Sequence, residues 1–295
     1  MADSFESKIQ RQIERLQTRS CRALERDTTE RRIRWFQKRY RDADRPILPS
    51  PRTAYELLFF EYMGLSREDL PVIAESEDKI VWLSHNRCQT LEACTALGLD
   101  TRTVCRDIYE KSTQALVSQI DPQLRFGRSY DEIRPYAGHC KEWIVRIRFE
   151  SLMALALEEA MASKREGNKG YGAVVVMGNK IVARAHDTAA TEQDPSLHAE
   201  VDAIRQAVRA QSDTNLCGAV LLSTCEPCPM CASLAVWANV TTIVYGASIE
   251  ETARLGRSRI RIGAQEIVDR SPATIEVIGG VLADDCLSLY RPGEN

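Results

Sequence analysis

The sequence predicts an α/β fold for its C-terminal half, preceded by a mainly α-helical N-terminal half. After residue 148, short runs rich in β-branched residues, typical of strands, alternate with helical apolar patterns. Residues 52–148, in contrast, show mostly helical patterns separated by turn residues. The candidate helices of this region are 53–65, 88–99 and 101–120.

The apolar patterns of the C-terminal half predict a series of helices and strands. Residues 149–166 form a strongly apolar helix, and residues 170–186 form two strands. Val201, Ile204 and Val208 have helical spacing after a helix-start sequence. The remaining candidates are strands 218–227, 241–248 and 274–280, with helices 230–238 and 282–290.

Charge and proline positions divide the chain into three segments. We predict a basic helical arm at residues 1–50, a small mainly α-helical domain at 51–148 and the α/β domain at 149–295. The arm holds 13 Lys/Arg against 8 Asp/Glu, and the α/β domain holds 13 against 19. A basic arm can bind nucleic acid, but its broken apolar stripe favours packing on its own domain or on a partner subunit. The acidic α/β domain disfavours tight binding of a nucleic-acid backbone.

Composition limits where the protein works. Its 295 residues include ten cysteines and no apolar run near the roughly 20 residues of a membrane span. The first ten residues lack the charged and apolar regions of an export signal. We therefore expect a cytoplasmic protein with free thiols and no membrane segment.

Three metal-ligating side chains fall in two short motifs. Glu200 follows His198 by two positions, and Cys228 and Cys231 lie three positions apart after Pro227. One imidazole and two thiolates give Zn²⁺ three protein ligands and leave a fourth position for water, as in catalytic sites. H-x-E with P-C-x-x-C is the signature of zinc nucleobase deaminases. A structural zinc knuckle or buried thiols are the alternatives, and neither requires the glutamate.

Glu200 is the predicted catalytic residue. Zinc lowers the pKa of a bound water to about 7, so hydroxide is available at neutral pH. An amine leaves a ring carbon readily only when it is protonated, so a carboxylate that is not a metal ligand must carry the proton. Glu200, beside His198 in the first turn of a predicted helix, has the required position.

Five stretches resemble the cytidine/deoxycytidylate deaminase superfamily, in the branch of guanine deaminases and tRNA adenosine deaminases. They are GYGAVVV (170–176), HAEVDAIR (198–205), TCEPCPMC (224–231), VYGASIEE (244–251) and GGVLADDC (279–286). The resemblance implies the cytidine deaminase-like fold, a three-layer α/β/α sandwich with a mixed five-stranded sheet. It also implies a homodimer that removes an exocyclic amine.

The resemblance places further residues at the substrate. Asp187 aligns where these enzymes normally carry a base-binding asparagine, and because an ionised aspartate only accepts hydrogen bonds, it suits a ring that offers donors. Tyr171 and the backbone around Gly172 and Ala173 are further pocket candidates, because that turn lies near the site in the family. Thr224 offers a backbone contact to the amine, and the backbone N–H of Cys225, a non-ligand, stabilises the attacked group. The alternative for Asp187 is an ordinary loop residue.

Aromatic and basic residues add weaker signals. Trp237 and Tyr245 are either base-stacking or core residues. A cluster of arginines predicts either anion recognition at the substrate mouth or a solvated surface. Its members are Arg254, Arg257, Arg259 and Arg261.

The N-terminal half resembles the 2-amino-thiazoline-carboxylate hydrolases at residues 85–105 and in HCKEW (139–143). This implies a regulatory or substrate-shaping domain, or a second hydrolytic activity on a cyclic amidine. The histidines and cysteines there match no zinc template in their spacing. Since cysteine is among the most buried residue types, they predict packing rather than a second metal site.

We therefore expect a zinc-dependent hydrolase that deaminates a nucleobase, nucleoside or similar small aminated heterocycle and releases ammonia. Deamination of adenosine to inosine in tRNA is one alternative, and it requires binding with a steep salt dependence. A non-catalytic, zinc-stabilised interaction module is the other, in which four protein ligands would surround the metal.

Overall fold

The computed structural model describes residues 4–42, 45–178 and 180–291. It divides into two compact units, Met1–Ile147 and Arg148–Asn295, and each is described by itself. Among the described residues, no helix is both long enough and apolar enough to cross a membrane.

The N-terminal unit contains the predicted helices. They are α1 (Phe5–Thr18), α2 (Cys21–Phe36), α3 (Pro51–Glu56), α4 (Gln89–Leu97), α5 (Thr101–Val104) and α6 (Lys111–Ile120), with π-helical segments Gln37–Arg41, Leu57–Tyr62 and Cys105–Glu110. Ser4 and Ser20 begin α1 and α2, because each hydroxyl accepts a hydrogen bond from the backbone N–H three residues later. Helix α1 lies against α4, and α2 lies against α6, so both helices of the predicted arm pack within this unit.

The N-terminal unit also contains an antiparallel sheet that the sequence analysis did not predict. Its strands, in the spatial order β1-β2-β4-β3, are β1 (Val72–Ser76), β2 (Lys79–Ser84), β3 (Leu124–Arg128) and β4 (Cys140–Arg146). Arg125 and Glu142 are buried in β3 and β4, and such charged residues interrupt the apolar pattern that would reveal a strand. The predicted helices of this region are therefore present, and the four-stranded sheet was not predicted.

Aromatic residues form the centre of the N-terminal unit. Trp82 of β2 is fully buried, and its ring lies 4.9 Å from that of Tyr55 and 5.0 Å from that of Phe59. Leu58 and Ile144 belong to the same apolar cluster. Helix α3 and its π-helical continuation thus cover one face of the sheet.

The C-terminal unit alternates strands and helices. Its helices are α7 (Phe149–Arg165), α8 (Ala199–Gln211), α9 (Pro229–Trp237), α10 (Ile249–Arg254), α11 (Ala264–Asp269) and α12 (Ala283–Ser288). Its strands are β5 (Gly172–Met177), β6 (Lys180–His186), β7 (Ala219–Cys225), β8 (Thr242–Ala247) and β9 (Glu276–Ile278). The sheet order is β6-β5-β7-β8-β9, with β5 antiparallel to β6 and β7, and β8 parallel to β7 and β9. The predicted mixed five-stranded sheet is confirmed.

Helices cover both faces of this sheet. A side chain at Gly172 would collide with the backbone of Ala156, and one at Gly246 would collide with Cys286, so α7 and α12 approach the sheet closely at these glycines. Neighbouring residues of a strand face opposite sides. Thr224 faces α12, whereas Ser223 lies beside Glu200 of α8. The layers are therefore α7 and α12, the sheet, and α8, which is the predicted α/β/α sandwich.

Candidate active site

Two helix N-termini bring the predicted metal ligands together. His198 is the N-cap residue of α8, and Cys228 is the N-cap residue of α9, with Pro229 at the first helical position. Proline suits this position because its missing N–H would have no partner there and its fixed φ is already helical. Helix α9 follows directly after β7, and it contacts α8. The strand–turn–helix connection therefore delivers Cys228 and Cys231 to the start of α8.

The distances between the three side chains fit a zinc ion. The imidazole Nδ1 of His198 lies 3.6 Å from the Sγ of Cys228 and 3.5 Å from the Sγ of Cys231. The two sulfur atoms are 3.5 Å apart. Tetrahedral zinc with ordinary Zn–S and Zn–N bonds separates such donors by about 3.5–3.8 Å. Within the described part of the chain, this is the one group of three or more side chains with ligand atoms so close together.

The three side chains change one another's protonation. Hydrogen bonding with Cys231 lowers the pKa of the Cys228 thiol to about 4. The thiol of Cys228 in turn raises the pKa of His198 above its ordinary value and, with burial, raises that of Cys231. A helix N-terminus favours a thiolate. Cys228 is therefore the sulfur that carries the negative charge first.

Glu200 lies beside this group, in the first turn of α8. Its side chain is buried, and burial raises the pKa of the carboxyl above the usual value for glutamate, with the charge of Cys228 adding to the effect. A carboxyl with a raised pKa holds a proton more readily than an ordinary glutamate does, which suits a group that takes up and releases protons. Glu200 thus has the properties of a general acid–base next to the metal ligands.

Asp187 is buried immediately after β6, with 1% of its surface exposed. Its backbone N–H donates to the carbonyl oxygen of Tyr171 at 3.0 Å, and the Ser163 hydroxyl donates to its carbonyl oxygen at 2.8 Å. Its Oδ1 accepts a 3.5 Å bond from the Lys169 N–H, whereas Oδ2 has no partner among the described residues. Its charge also acts on His198. A buried oxygen without a partner among the described residues is rare in proteins, and this atom is such an acceptor.

The other predicted substrate-binding residues lie at adjacent strand ends. Gly172 and Ala173 begin β5, and the Gly172 N–H donates to the Thr224 hydroxyl at 3.1 Å. That hydroxyl also lies 3.0 Å from the hydroxyl of Tyr290, so the Thr224 side chain faces away from Glu200. Burial raises the pKa of Cys225 to about 11, which keeps its thiol neutral, and it lies outside the metal-ligand group.

Glu226 makes contacts that the sequence analysis missed. Its Oε2 accepts a hydrogen bond from the Ile249 N–H at 2.9 Å, and its Oε1 accepts one from the Ala264 N–H at 2.8 Å. One carboxylate therefore holds the first residues of both α10 and α11. Its place directly before the P-C-x-x-C motif was the available signal, but its partners lie 23 and 38 residues away.

Arg259 is the arginine of the predicted basic cluster that reaches the site. Its Nη2 donates to the Tyr171 hydroxyl at 2.6 Å and lies 3.4 Å from the Sγ of Cys225. Its guanidinium also stacks over the Tyr171 ring, 4.8 Å from the centroid. In the sequence, nothing distinguishes Arg259 from the other arginines of the cluster.

The histidines and cysteines of the N-terminal unit are arranged differently. The rings of His85 and His139 are 5.8 Å apart. Cys94 packs with Leu24 and Ile108 in a small apolar cluster. Burial raises the pKa of Cys94 to about 11. Cys94 therefore occupies the position of a packing residue, whereas Cys88 and Cys140 are only partly buried.

Comparison with known proteins relates this geometry to known enzymes. Residues 147–247 match the family described as the cytidine and deoxycytidylate deaminase zinc-binding region. The tRNA-specific adenosine deaminase of Bacillus subtilis is 36% identical over 137 residues, which make up 46% of this chain and 83% of that enzyme. The guanine deaminase of Bacillus subtilis is 37% identical over 86 residues, 29% of this chain and 55% of that enzyme, or about half its length.

Solved structures of such enzymes are also similar. A tRNA:A34 deaminase studied for A-to-I editing at the wobble position is 27% identical, with a TM-score of 0.42, over 47% of this chain and 98% of its own. The X-ray structure of guanine deaminase from Bacillus subtilis is 32% identical, with a TM-score of 0.36, over 37% of this chain and 71% of its own.

The protein is thus an enzyme of the zinc-dependent hydrolytic deaminase class. The family itself follows from two matches. The chain is similar to 83% of the Bacillus subtilis tRNA-specific enzyme, and residues 147–247 match the family model. The chain belongs to the cytidine and deoxycytidylate deaminase family. The alternative of a non-catalytic zinc module is not supported.

Proposed function

We propose that this protein deaminates a small aminated heterocycle, such as a nucleobase or nucleoside, at a zinc site held by His198, Cys228 and Cys231. The observation that carries the proposal is the convergence of these three side chains at two helix starts, with Glu200 buried beside them. Zinc bound in such a site activates a water molecule as a nucleophile at neutral pH. Three protein ligands leave one position for that water.

The role of Glu200 follows from its environment. As a carboxylate it accepts a proton from the attacking water, and its raised pKa allows it to hold that proton until the ring nitrogen takes it. The same carboxylate then takes the proton of the hydroxyl newly formed on the ring carbon and passes it to the departing amine, which leaves as ammonia. Burial keeps competing water away and strengthens these hydrogen bonds.

The side chain of Asp187 indicates which hydrogen-bonding groups the substrate carries. A carboxylate accepts hydrogen bonds and donates none, and its Oδ2 has no partner among the described residues. The substrate that satisfies it carries N–H donors, such as a ring N–H and an adjacent amine, on the edge that faces β6. A substrate with acceptors on that edge would be repelled.

Similarity to a tRNA-specific adenosine deaminase supports a second candidate, deamination of adenosine in tRNA. The acidic C-terminal half, with 13 Lys/Arg against 19 Asp/Glu in residues 149–295, favours the small substrate. A tRNA stem-loop that competes with free bases, and whose affinity falls steeply with salt, would establish the second candidate instead.

We further propose that residues 149–295 form the deaminase domain. Residues 1–50 and 51–148, predicted as an arm and a helical domain, form one further unit, because α1 and α2 pack on α4 and α6, and this unit also contains the four-stranded sheet. The functional form proposed is a cytoplasmic homodimer. The large apolar side chain of Trp237 supports the dimer, because it is 81% exposed at the end of α9, and exposed apolar patches mark protein interfaces.

Replacement of Glu200 tests the mechanism. Glu200→Gln keeps the shape and removes the titrating group, so we expect about one zinc per chain and a loss of ammonia release of 10²-fold or more, since general acid–base groups contribute roughly 10²–10⁴-fold. Zinc is counted by elemental analysis, and ammonia is screened with guanine, adenine, cytosine, their nucleosides, pterins and aminotriazines. Glu266→Gln, on exposed α11, is the matched control. Unchanged turnover in the Glu200 variant would falsify the assignment.

A further inference from the structure

A large cleft lies within the N-terminal unit, apart from the deaminase residues. Its volume is about 1320 Å³, and its walls come from α1, α2 and segments of residues 58–142. Ten of its lining residues are Lys or Arg, and four are Asp or Glu. We call it the arginine cleft. Such an excess of cations in a concave surface creates a positive potential that attracts anions.

Among the cations of the arginine cleft, Arg32 is a buried one. It lines the arginine cleft and is 6% exposed. Its Nη1 donates to Ser112 Oγ at 3.0 Å and to Thr113 Oγ1 at 2.5 Å, and its Nε has no partner in the part of the chain that the structure describes. Burial lowers the pKa of Arg32 to about 10. All of its hydrogen-bond partners among the described residues are neutral, so no carboxylate among them compensates its buried charge.

A buried charge without an opposite charge is unfavourable, and Arg128, which also lines the arginine cleft, has an opposite charge beside it. Arg128 is paired with the carboxylate of Glu142. That carboxylate also accepts hydrogen bonds from Trp82 Nε1 at 3.0 Å and from Ser84 Oγ at 2.6 Å. Buried ions are usually paired in this manner. Arg32 is buried, whereas the Arg128 side chain is 12% exposed, and among the described residues Arg32 has no such counter-ion.

Arg134 lies on another wall of the arginine cleft and is partly buried. Its Nη1 donates to the backbone oxygen of Asn86 at 2.6 Å, and its Nε lies 3.5 Å from the Sγ of Cys140. These partners are also neutral. Among the described residues, the guanidinium groups of Arg32 and Arg134 thus form hydrogen bonds only with neutral groups.

Aromatic side chains complete the walls. Phe59, Tyr62, Tyr109 and Phe126 line the same cleft, and the Tyr62 ring centroid is 5.8 Å from the Cζ of Arg32. Pockets that combine apolar and aromatic walls with a few polar anchors are typical of small-molecule sites. The walls favour a flat ring attached to the anionic group.

We propose that the arginine cleft binds a small aromatic or heteroaromatic oxyanion, a carboxylate or a phosphate monoester, whose charge neutralises Arg32. Carboxylates and phosphates match the planar fork of a guanidinium. Nucleic acid fits less well, since its backbone phosphates contact exposed cations, whereas Arg32 is 6% exposed. The proposal is independent of the deaminase assignment.

The test measures binding of benzoate and phenyl phosphate to the full-length protein by calorimetry and by thermal unfolding. The two probes share a ring and differ in the anion, so they distinguish a carboxylate site from a phosphate site. Benzamide is the neutral control, and sodium chloride of equal ionic strength controls for screening. We expect at least one anion to bind and to raise the unfolding temperature, and benzamide to do neither.

Variants assign the binding to the cleft. Arg32→Met should weaken anion binding about tenfold or more, because it removes a charged hydrogen-bond donor. It should fold, since an apolar chain of similar length replaces an uncompensated buried charge. Arg26→Met is the matched control, because Arg26 is an exposed arginine of α2 outside the cleft lining. Arg134→Gln is the second variant, and it should weaken binding even if Arg32→Met is unstable.

Three results would overturn the proposal. The first is that neither anion binds at about 10 mM beyond the effect of matched salt. The second is equal binding in the Arg26 variant and in both cleft variants. The third is displacement by an RNA oligonucleotide that binds the wild type far more tightly and depends on Arg32, which would make the cleft a nucleic-acid site.

Discussion

At the residue scale, the active site depends on how helix starts orient individual side chains. His198 and Cys228 occupy N-cap positions, where the backbone is extended and the side chain lies next to free N–H groups. In many proteins a serine or aspartate would cap these N–H groups. Here neither residue makes a side-chain cap bond, so imidazole and sulfur remain available to a metal.

Asp187→Asn is expected to change substrate choice. Asparagine presents both a donor and an acceptor, so a substrate whose edge offers two N–H donors loses one bond. We expect kcat/KM for the preferred substrate to fall about 10–100-fold, as for loss of a hydrogen bond to a charged group, with zinc content unchanged. Ammonia release is measured across the substrate panel, with Asp284→Asn, at an exposed position of α12, as control. Identical selectivity in both variants would show that Asp187 does not contact the ring.

Motif spacing identified the residues that the structure brings together around the metal position, because those residues lie within two short stretches. Motif spacing could not predict that the Glu226 carboxylate holds the starts of α10 and α11, or that Arg259 contacts Tyr171. Tyr171 and Arg259 are 88 residues apart in the sequence. Contacts of this kind depend on the folded path of loops, which local spacing does not encode.

At the element scale, His186 joins the end of β6 to α7. Its Nδ1 lies 3.0 Å from Glu159, and its Nε2 lies 2.9 Å from Glu166. Burial alone would lower the pKa of His186, but the hydrogen bonds to both carboxylates outweigh it and raise the pKa. Protonated His186 therefore ties the strand to the helix.

The stabilisation by His186 should depend on pH. Because its folded-state pKa is raised, the contribution is fully present below the unfolded pKa of about 6.5 and is lost as pH rises through the folded value. His186→Gln should lower the free energy of unfolding by less than about 1 kcal/mol at acidic pH, since Glu166 is half exposed and screened. Denaturant unfolding of both proteins from pH 5 to 9 measures the difference. A difference that grows with pH would contradict this assignment.

Elements were predictable where one apolar pattern persisted over enough residues. Helix α8 kept its spacing, and β7 begins with the apolar run 219–222 and is buried along its whole length. The sheet of the N-terminal unit was missed because β1 is largely exposed and β4 contains the buried Glu142. Tertiary pairing of Glu142 with Arg128, rather than local propensity, allows that strand to exist.

At the scale of the whole molecule, the proposed dimer gives a test of assembly. Trp237 and Met230 of α9 are 81% and 40% exposed, and burial of a large aromatic group is a main source of interface energy. Trp237→Glu should raise the dimer dissociation constant about tenfold or more, measured by sedimentation velocity. Met161→Glu, at an exposed position of α7, should have no such effect. A wild type that sediments as a monomer at all concentrations would refute the dimer.

Whole-molecule organisation was predictable only in outline. The C-terminal half carries contiguous motifs, and its layered fold followed from them. The arginine cleft could not be anticipated, because it requires Arg32 of α2 to meet Thr113 of α6, 81 residues later. In the sequence, Arg32 is one of many arginines in a helix, and burial distinguishes it.

The most direct measurement of the central claim is X-ray absorption at the zinc edge of the purified full-length enzyme. With His198, Cys228 and Cys231 as the protein ligands, we predict two sulfur atoms at about 2.3 Å and two nitrogen or oxygen atoms at about 2.0–2.2 Å, one of them exchangeable water. Cys228→Ser should reduce the sulfur count to one. A count of three sulfurs, or a fourth ligand from the protein, would contradict the account, because no position would remain for the water that attacks the substrate.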